Sequence, residues 1–183
     1  AILYMGLPGQ AGGESGANLL TGKANPCGKL TETWPLFYED VISKDTFGQK
    51  NAEYREGIYV GYRYFDSFGV EPCYPFGYGL TYGDADITEV KYNDLTVSKD
   101  SEMALGSDNK CELTVTVKNN YDKELQEVVQ VYIKAVDSPY SEPNAKLCGF
   151  ARVKLSAGES KAVKLSINEQ AFTVVTDDGD RIN

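Results

Sequence analysis

The sequence has 183 residues, of which 42% are hydrophobic and 25% charged, a composition typical of a soluble globular protein. Its net charge of −9 argues against nucleic acid or an anionic membrane as partner, because both need a basic surface, and no apolar run is long enough to span a bilayer. The complete absence of histidine excludes catalytic triads, cysteine–histidine pairs and HExxH zinc sites.

The first elements in chain order are a strand, a glycine-rich turn and a helix. Residues 1–5 (AILYM) are apolar and rich in strand-forming side chains, so we predict a short buried strand there. Such a strand needs neighbours on both sides, and we expect part of its sheet to lie outside this sequence. A short helix is predicted over residues 14–20, ending at Gly22.

Composition then changes along the chain, which predicts two domains, residues 1–83 and 84–183. The first 83 residues contain 14 of the 18 glycines, 9 of the 13 tyrosines and 5 of the 7 prolines. Within them, residues 23–36 carry two prolines and are predicted to be extended and turn-rich rather than helical. Tyrosine and phenylalanine side chains crowd together over residues 59–65.

The second part of the chain alternates apolar and polar residues in short runs. This pattern is clearest over residues 111–118, 129–134 and 163–167. Further runs over residues 87–97, 147–155 and 172–175 bring the total to six or seven strands, separated by turn signals. Many short alternating strands within about 100 residues predict an antiparallel, all-β sandwich of immunoglobulin-like type.

The cysteine pattern indicates structural thiols rather than a metal or redox motif. Cys27, Cys73, Cys111 and Cys148 form no CxxC pair, and each lies in an apolar or turn-rich stretch. We therefore favour buried reduced thiols over two disulfides. The sequence also lacks an N-x-Ser/Thr sequon, which fits an intracellular or unglycosylated protein, and we favour a bacterial-type cytoplasmic location over secretion.

Several motifs in fixed order resemble one enzyme family. They are residues 7–13 (LPGQAGG), 25–30 (NPCGKL), 56–63 (EGIYVGYR) and 75–80 (PFGYGL). In the second part, residues 127–132 (EVVQVY), 146–150 (KLCGF) and 155–159 (LSAGE) continue the resemblance. The pattern is similar to the C-terminal portion of glycoside hydrolase family 3, the β-glucosidase-like enzymes.

The resemblance implies a fold class and the location of the catalytic groups. It implies an α/β fragment, formed by the last strands of an α/β sandwich domain, followed by a fibronectin type III-like β-sandwich. The family hydrolyses glycosides with retention, using two carboxyl groups about 5–5.5 Å apart. Both family carboxylates would lie outside this chain, in the barrel domain and upstream in the sandwich domain. The resemblance thus implies no catalytic residue here, no cofactor and no metal, with the remainder of the same enzyme and a carbohydrate substrate as partners.

The chain's own residues offer few candidates for chemistry. Glu14 is more simply explained by its position at a helix N-terminus, and Glu56 by an ion pair with Arg55 or Arg63. Tyr62, Tyr64 and Arg63 are the candidates for sugar contact, because aromatic rings offer flat amphipathic faces. Packing in a core or between domains is the alternative for all three. The acidic residues 177–180 lack the rest of a calcium loop and are predicted to form a solvated turn.

Two functions follow as hypotheses. In the first, the chain is the structural C-terminal part of a retaining glycosidase acting on β-glucosides or related glycosides, and is inactive alone. In the second, it is a stand-alone carbohydrate-binding or protein-interaction module, as the tyrosines and the missing catalytic pair would suggest. An exposed first strand argues against the second, since autonomous domains protect their sheet edges.

Overall fold

The structure is a computed structural model that describes residues 1–98, 101, 111–140 and 142–182. We call residues 1–83 the N-terminal region and residues 84–183 the C-terminal region. None of the described helices is long and apolar enough to cross a membrane.

The N-terminal region contains little regular structure. Its elements are two helices, a short 3-10 helix and a two-stranded ladder: α1 (Gly12–Leu20), β1 (Trp34–Pro35), the 3-10 helix Tyr38–Asp40, α2 (Tyr62–Phe68) and β2 (Pro72–Tyr74). Helix α1 confirms the predicted helix, and Glu14 lies in its first turn, where a negative charge is favourable. The backbone then turns at Gly22, whose φ of +69° suits glycine.

The predicted first strand is wrong for residues 1–5. They form no strand with any described part of the chain, and the side chain of Ile2 is 76% exposed. A strand is stabilised by hydrogen bonds to a neighbouring strand, and no described strand runs beside this segment. Side-chain packing holds it instead. The Tyr4 ring lies edge-on to Trp34 at 5.0 Å, and the Met5 sulfur packs against Gly16 of α1.

The C-terminal region is the predicted antiparallel β-sandwich. Its described strands are β3 (Ala85–Tyr92), β4 (Leu95–Val97), β5 (Cys111–Asn119), β6 (Leu125–Ile133), β7 (Lys146–Leu155), β8 (Ser160–Ile167), β9 (Val174–Val175) and β10 (Arg181–Ile182). One sheet has the order β4–β3–β5–β8, and the second is the β6–β7 pair. A small β9–β10 hairpin completes the described strands.

Two predicted strands differ in detail. Residues 87–97 form a hairpin rather than one strand, because Asn93 and Asp94 both adopt positive φ, the requirement of a tight two-residue turn. At the other end, Phe172 belongs to the 3-10 helix Glu169–Phe172, so only Val174–Val175 of the predicted run is strand. The acidic residues 177–180 form an exposed turn between β9 and β10, as predicted.

The core lies between the two sheets of the C-terminal region. Its most buried side chains are Leu155, at 0% exposure, and Leu125 and Val117, each at 1%. The buried polar residue Asn119 closes one end of this core. Its Nδ2 donates to the carbonyls of Lys123 and Ser156, each at 2.8 Å, and its Oδ1 accepts the Tyr121 amide at 2.8 Å. These hydrogen bonds of a buried amide stabilise the turns that contain residues 119–123 and Ser156.

The four cysteines are free thiols, but only one is fully buried. Cys111 lies in the core, Cys27 and Cys148 are half-buried, and Cys73 is exposed. Burial raises the pKa of the Cys111 and Cys148 thiols, which keeps both protonated near neutral pH. The prediction of buried thiols is therefore wrong for Cys73, which occupies the exposed middle position of the short strand β2.

Candidate functional site

Helix α2 carries all three residues predicted to contact sugar. It begins after Gly61, whose φ is +60°, and ends at Gly69, which adopts the left-handed conformation common at helix C-termini. Between these glycines, Tyr62, Arg63 and Tyr64 are half-buried, and Phe65 is buried. Helix α2 is thus a single short helix with a glycine turn at each end, and it lies beside the C-terminal region.

Tyr62 binds the C-terminal region. Its hydroxyl donates to the carbonyl oxygen of Ala145 at 2.8 Å. Its ring lies 5.3 Å from Phe76 and 6.3 Å from Tyr132 of β6, the latter nearly perpendicular. Burial is the main cause that raises the pKa of Tyr132, and Tyr62 adds to it. Tyr62 is therefore packed between the two regions.

Two further contacts join α2 to the same segment. The guanidinium of Arg63 lies 3.7 Å from the Glu142 carboxylate, and the Ser67 hydroxyl donates to Asn144 Oδ1 at 2.7 Å. We call the contacts of Tyr62, Arg63 and Ser67 with residues 142–145 the α2 clasp. No sequence pattern indicates the clasp, because its partners are separated by about 80 positions and carry no shared motif.

Tyr64 lies apart from the clasp. Its ring packs against Phe65 at 5.5 Å and Phe68 at 5.2 Å, and Tyr59 also contacts Phe68. The predicted aromatic crowding is therefore present, but it divides into two groups. Tyr62 contacts the C-terminal region, and Tyr64 stays within the N-terminal region. Contact of Tyr62, Arg63 and Tyr64 with sugar stays a prediction.

A second set of contacts joins the N-terminal region to β6. Lys29 Nζ pairs with the Glu127 carboxylate at 3.0 Å and also donates to the Gly79 carbonyl at 2.9 Å. Gly77 lies directly on Gln130, so close that a β-carbon there would come within 2.8 Å of its side-chain oxygen. The N-terminal region thus contacts β6, whereas Phe150 of the neighbouring strand β7 is 70% exposed.

The carboxylates considered for chemistry form no catalytic pair. Arg55 pairs with Glu53 and Arg63 with Glu142, so the predicted ion pair of Glu56 with either arginine is wrong. Each arginine already has an acidic partner: Glu53 is two residues from Arg55 in sequence, and Glu142 binds Arg63 in the α2 clasp. Among the described residues, no group of three or more acidic, cysteine or histidine side chains is arranged to hold a metal ion.

Comparison with known proteins places both regions in one family. Residues 1–82 match the family model described as the glycosyl hydrolase family 3 C-terminal domain, and residues 127–182 match that of the fibronectin type III-like domain. The thermostable β-glucosidase B of Acetivibrio thermocellus is 39% identical over 175 residues, covering 94% of this chain and 22% of that protein. An exo-α-(1→6)-L-arabinopyranosidase of Bifidobacterium longum is 37% identical over 93% of this chain and 21% of its own length.

Solved structures show the same arrangement. A β-glucosidase from Streptomyces venezuelae in complex with D-glucose superposes with a TM-score of 0.80 at 34% identity, covering 98% of this chain and 22% of that chain. A Bifidobacterium adolescentis β-glucosidase superposes with a TM-score of 0.79 at 33% identity, covering 94% of this chain and 24% of that one. The chain thus spans about a fifth of the length of the relatives that it matches.

Proposed function

Because this chain belongs to glycoside hydrolase family 3, as its C-terminal portion, we propose that it is the structural part of a retaining glycosidase and carries none of the catalytic groups. The similarity to the matched relatives identifies the family, and the geometry of the chain supports a structural role. In the described part of the chain, one cavity is lined by a single acidic residue, Glu124, and another by Glu89, whereas retaining hydrolysis needs two carboxyl groups about 5–5.5 Å apart. Its task is to support the surfaces on which the catalytic domains rest.

The observation that carries this proposal is the unequal packing of the N-terminal region. One side of it is fastened to the C-terminal region by the α2 clasp and the contacts along β6. The rest exposes many large apolar side chains, among them Ile2, Leu7, Leu20, Phe47, Tyr54 and Leu80. Apolar surface of this extent marks an interface. Its occupant is the remainder of the same enzyme, meaning the barrel domain and the rest of the α/β sandwich domain.

The domain division and the substrate class complete the proposal. Residues 1–83 belong to the sandwich domain, and residues 84–183 form the fibronectin-like domain, which begins with β3 at Ala85. The substrates are β-glucosides or related glycosides. The relatives named above hydrolyse different sugars by name, and the choice among sugars rests with residues outside this chain.

The test compares the isolated chain with the longer protein that contains it. We expect the 183-residue chain to release no nitrophenol from 4-nitrophenyl β-D-glucoside, and the longer protein to release it. The same assay with the β-xyloside and the α-L-arabinopyranoside identifies the preferred sugar. Turnover by the isolated chain that is lost in Glu14→Gln or Glu56→Gln would overturn the proposal. Saccharide binding by an inactive, autonomously folded chain, lost in Tyr62→Ala, would instead support a carbohydrate-binding module.

A further inference from the structure

The face of the β6–β7 sheet that points away from the core is covered along one strand only. Successive side chains of a strand point to opposite faces, and Val129 of β6 lies in the core, so the even-numbered residues of β6 point outward. The N-terminal region contacts three of them, and the pairs are Cys27 with Gln126, Gly77 with Gln130 and Tyr62 with Tyr132. These contacts follow β6 along most of its length.

The outward side chains of β7 have no such cover. Phe150 lies opposite Gln130 and Arg152 lies opposite Val128, and directly opposed residues of an antiparallel pair share one face of the sheet. We call the outward residues Phe150, Arg152 and Lys154 the β7 face. All three are exposed, and Phe150 is 70% exposed. Neighbouring strands lie about 4.8 Å apart, so this apolar ring stands one strand beyond an interface that is already formed.

Arg152 gives the β7 face a specific chemistry. It makes no hydrogen bond or ion pair with the described residues, whereas Lys154 pairs with Glu124 at 2.9 Å. Aromatic and arginine side chains are the types enriched at the centres of protein interfaces. A partner that fits this face offers an apolar hollow for Phe150 and a carboxylate for Arg152.

We propose that the β7 face binds the rest of the α/β sandwich domain in the longer protein, with Phe150 as its apolar anchor. The inference rests on the proposed function, which assigns residues 1–83 to that domain. About four-fifths of each relative named above lies outside the part that this chain matches, so ample chain is present to form the partner surface. The partner is the sandwich domain rather than the barrel domain, because the portion of it in this chain already covers β6 and its continuation reaches β7 next.

The first test replaces Phe150 by the photoreactive residue p-benzoylphenylalanine in the longer protein. We expect irradiation to produce a cross-link within one molecule, to a sandwich-domain peptide outside the 183 residues, identified by mass spectrometry of a digest. The same replacement at Leu95 is the matched control, because Leu95 is also exposed but lies on the edge strand of the other sheet, and it should give no such cross-link. A cross-link from position 150 to the barrel domain or to a second molecule would overturn the proposal.

The second test measures whether the β7 face is buried, without a bulky probe. Arg152→Cys and the control Lys118→Cys, at an exposed position of β5, each react with iodoacetamide in the longer protein, and the labelled peptides are quantified by mass spectrometry. We expect position 152 to react at least about tenfold more slowly than position 118, because docking excludes the reagent. Adding Phe150→Ala should abolish this protection, whereas adding Leu95→Ala should preserve it. Equal rates at positions 152 and 118 would overturn the proposal.

The activity assay separates failure of this inference from failure of the proposed function. A longer protein that hydrolyses 4-nitrophenyl β-D-glucoside, while position 152 reacts as fast as position 118, would overturn docking on the β7 face and leave the proposed function intact. Turnover by the isolated chain would overturn the proposed function whatever the labelling shows.

Discussion

The two regions of this chain are stabilised in different ways. In the C-terminal region, four- and two-stranded sheets enclose a continuous core, and every fully buried large side chain of the described residues lies there. The N-terminal region has a single buried large apolar residue among those described, Phe65. Its other large side chains pair locally, as in the contact of Tyr4 with Trp34, or face solvent.

This difference indicates which region depends on which. A sandwich with its own core can hold its shape alone, because burial of apolar surface is the main source of stability. A region with short ladders and exposed apolar side chains needs surfaces from elsewhere. The α2 clasp and the contacts along β6 supply one such surface. The remainder of the enzyme, under the function proposed here, supplies the other.

The largest expected effect tests the core of the C-terminal region. Leu155 is fully buried, so Leu155→Ala should lower the free energy of unfolding by about 2–5 kcal/mol, through lost burial and the cavity left behind. Leu7→Ala is the matched control, because Leu7 is fully exposed and should change the stability of the isolated chain by less than about 0.5 kcal/mol. Urea unfolding measures both.

The same control sharpens the comparison in the longer protein. If the apolar side of the N-terminal region docks on other domains, Leu7→Ala should become destabilising there, by about 1–3 kcal/mol. A neutral Leu7→Ala in both the chain and the longer protein would contradict docking through this residue.

The next effect concerns the clasp. Tyr62→Phe removes the hydrogen bond to Ala145 and leaves that carbonyl without its partner, so we expect a loss of about 1 kcal/mol in the free energy of unfolding. Tyr64→Phe is the matched variant, since the Tyr64 hydroxyl makes no hydrogen bond with the described residues, and it should be neutral. Equal effects of the two variants would contradict a fastening role for Tyr62. Their Michaelis constants in the longer protein would show whether either ring also contacts sugar.

The C-terminal region was largely predictable because its signal is local. Alternation within β5, β6 and β8 reports which side chains face a core, and that information lies in each strand's own residues. The hairpin at Asn93 and Asp94 was missed because β4 has only three residues and looks like a continuation of β3. Helix α1 was predictable for a similar reason, since Gly22 marks its end, although the helix begins at Gly12, two residues before the predicted start.

The site residues were less predictable because their partners are remote. Family motifs marked residues 56–63 as notable, and the aromatic crowding drew attention to Tyr62, but neither indicated Ala145 or Glu142 as partners. The prediction of a strand over residues 1–5 was wrong for a different reason. Its residues have strand character, yet a strand forms only where a neighbour offers backbone hydrogen bonds, which composition cannot reveal.

The smallest expected effect lies in the turn between β7 and β8 and depends on pH. Glu159 accepts the Ser156 amide at 2.7 Å, and this hydrogen bond is the main cause that lowers the pKa of its carboxyl group. A pKa lowered by folding means that the ionised form stabilises the fold above the ordinary pKa, and that this contribution is lost as pH falls through the lowered value. Glu159→Gln should therefore lower the melting temperature slightly at neutral pH, with the difference from the parent chain vanishing in acid. Glu71→Gln is the matched control, because Glu71 is exposed and has no hydrogen bond or ion pair with the described residues, and it should leave the melting temperature unchanged. A difference for Glu159→Gln that persists unchanged at low pH would mean that the hydrogen bond, rather than the charge, stabilises this turn.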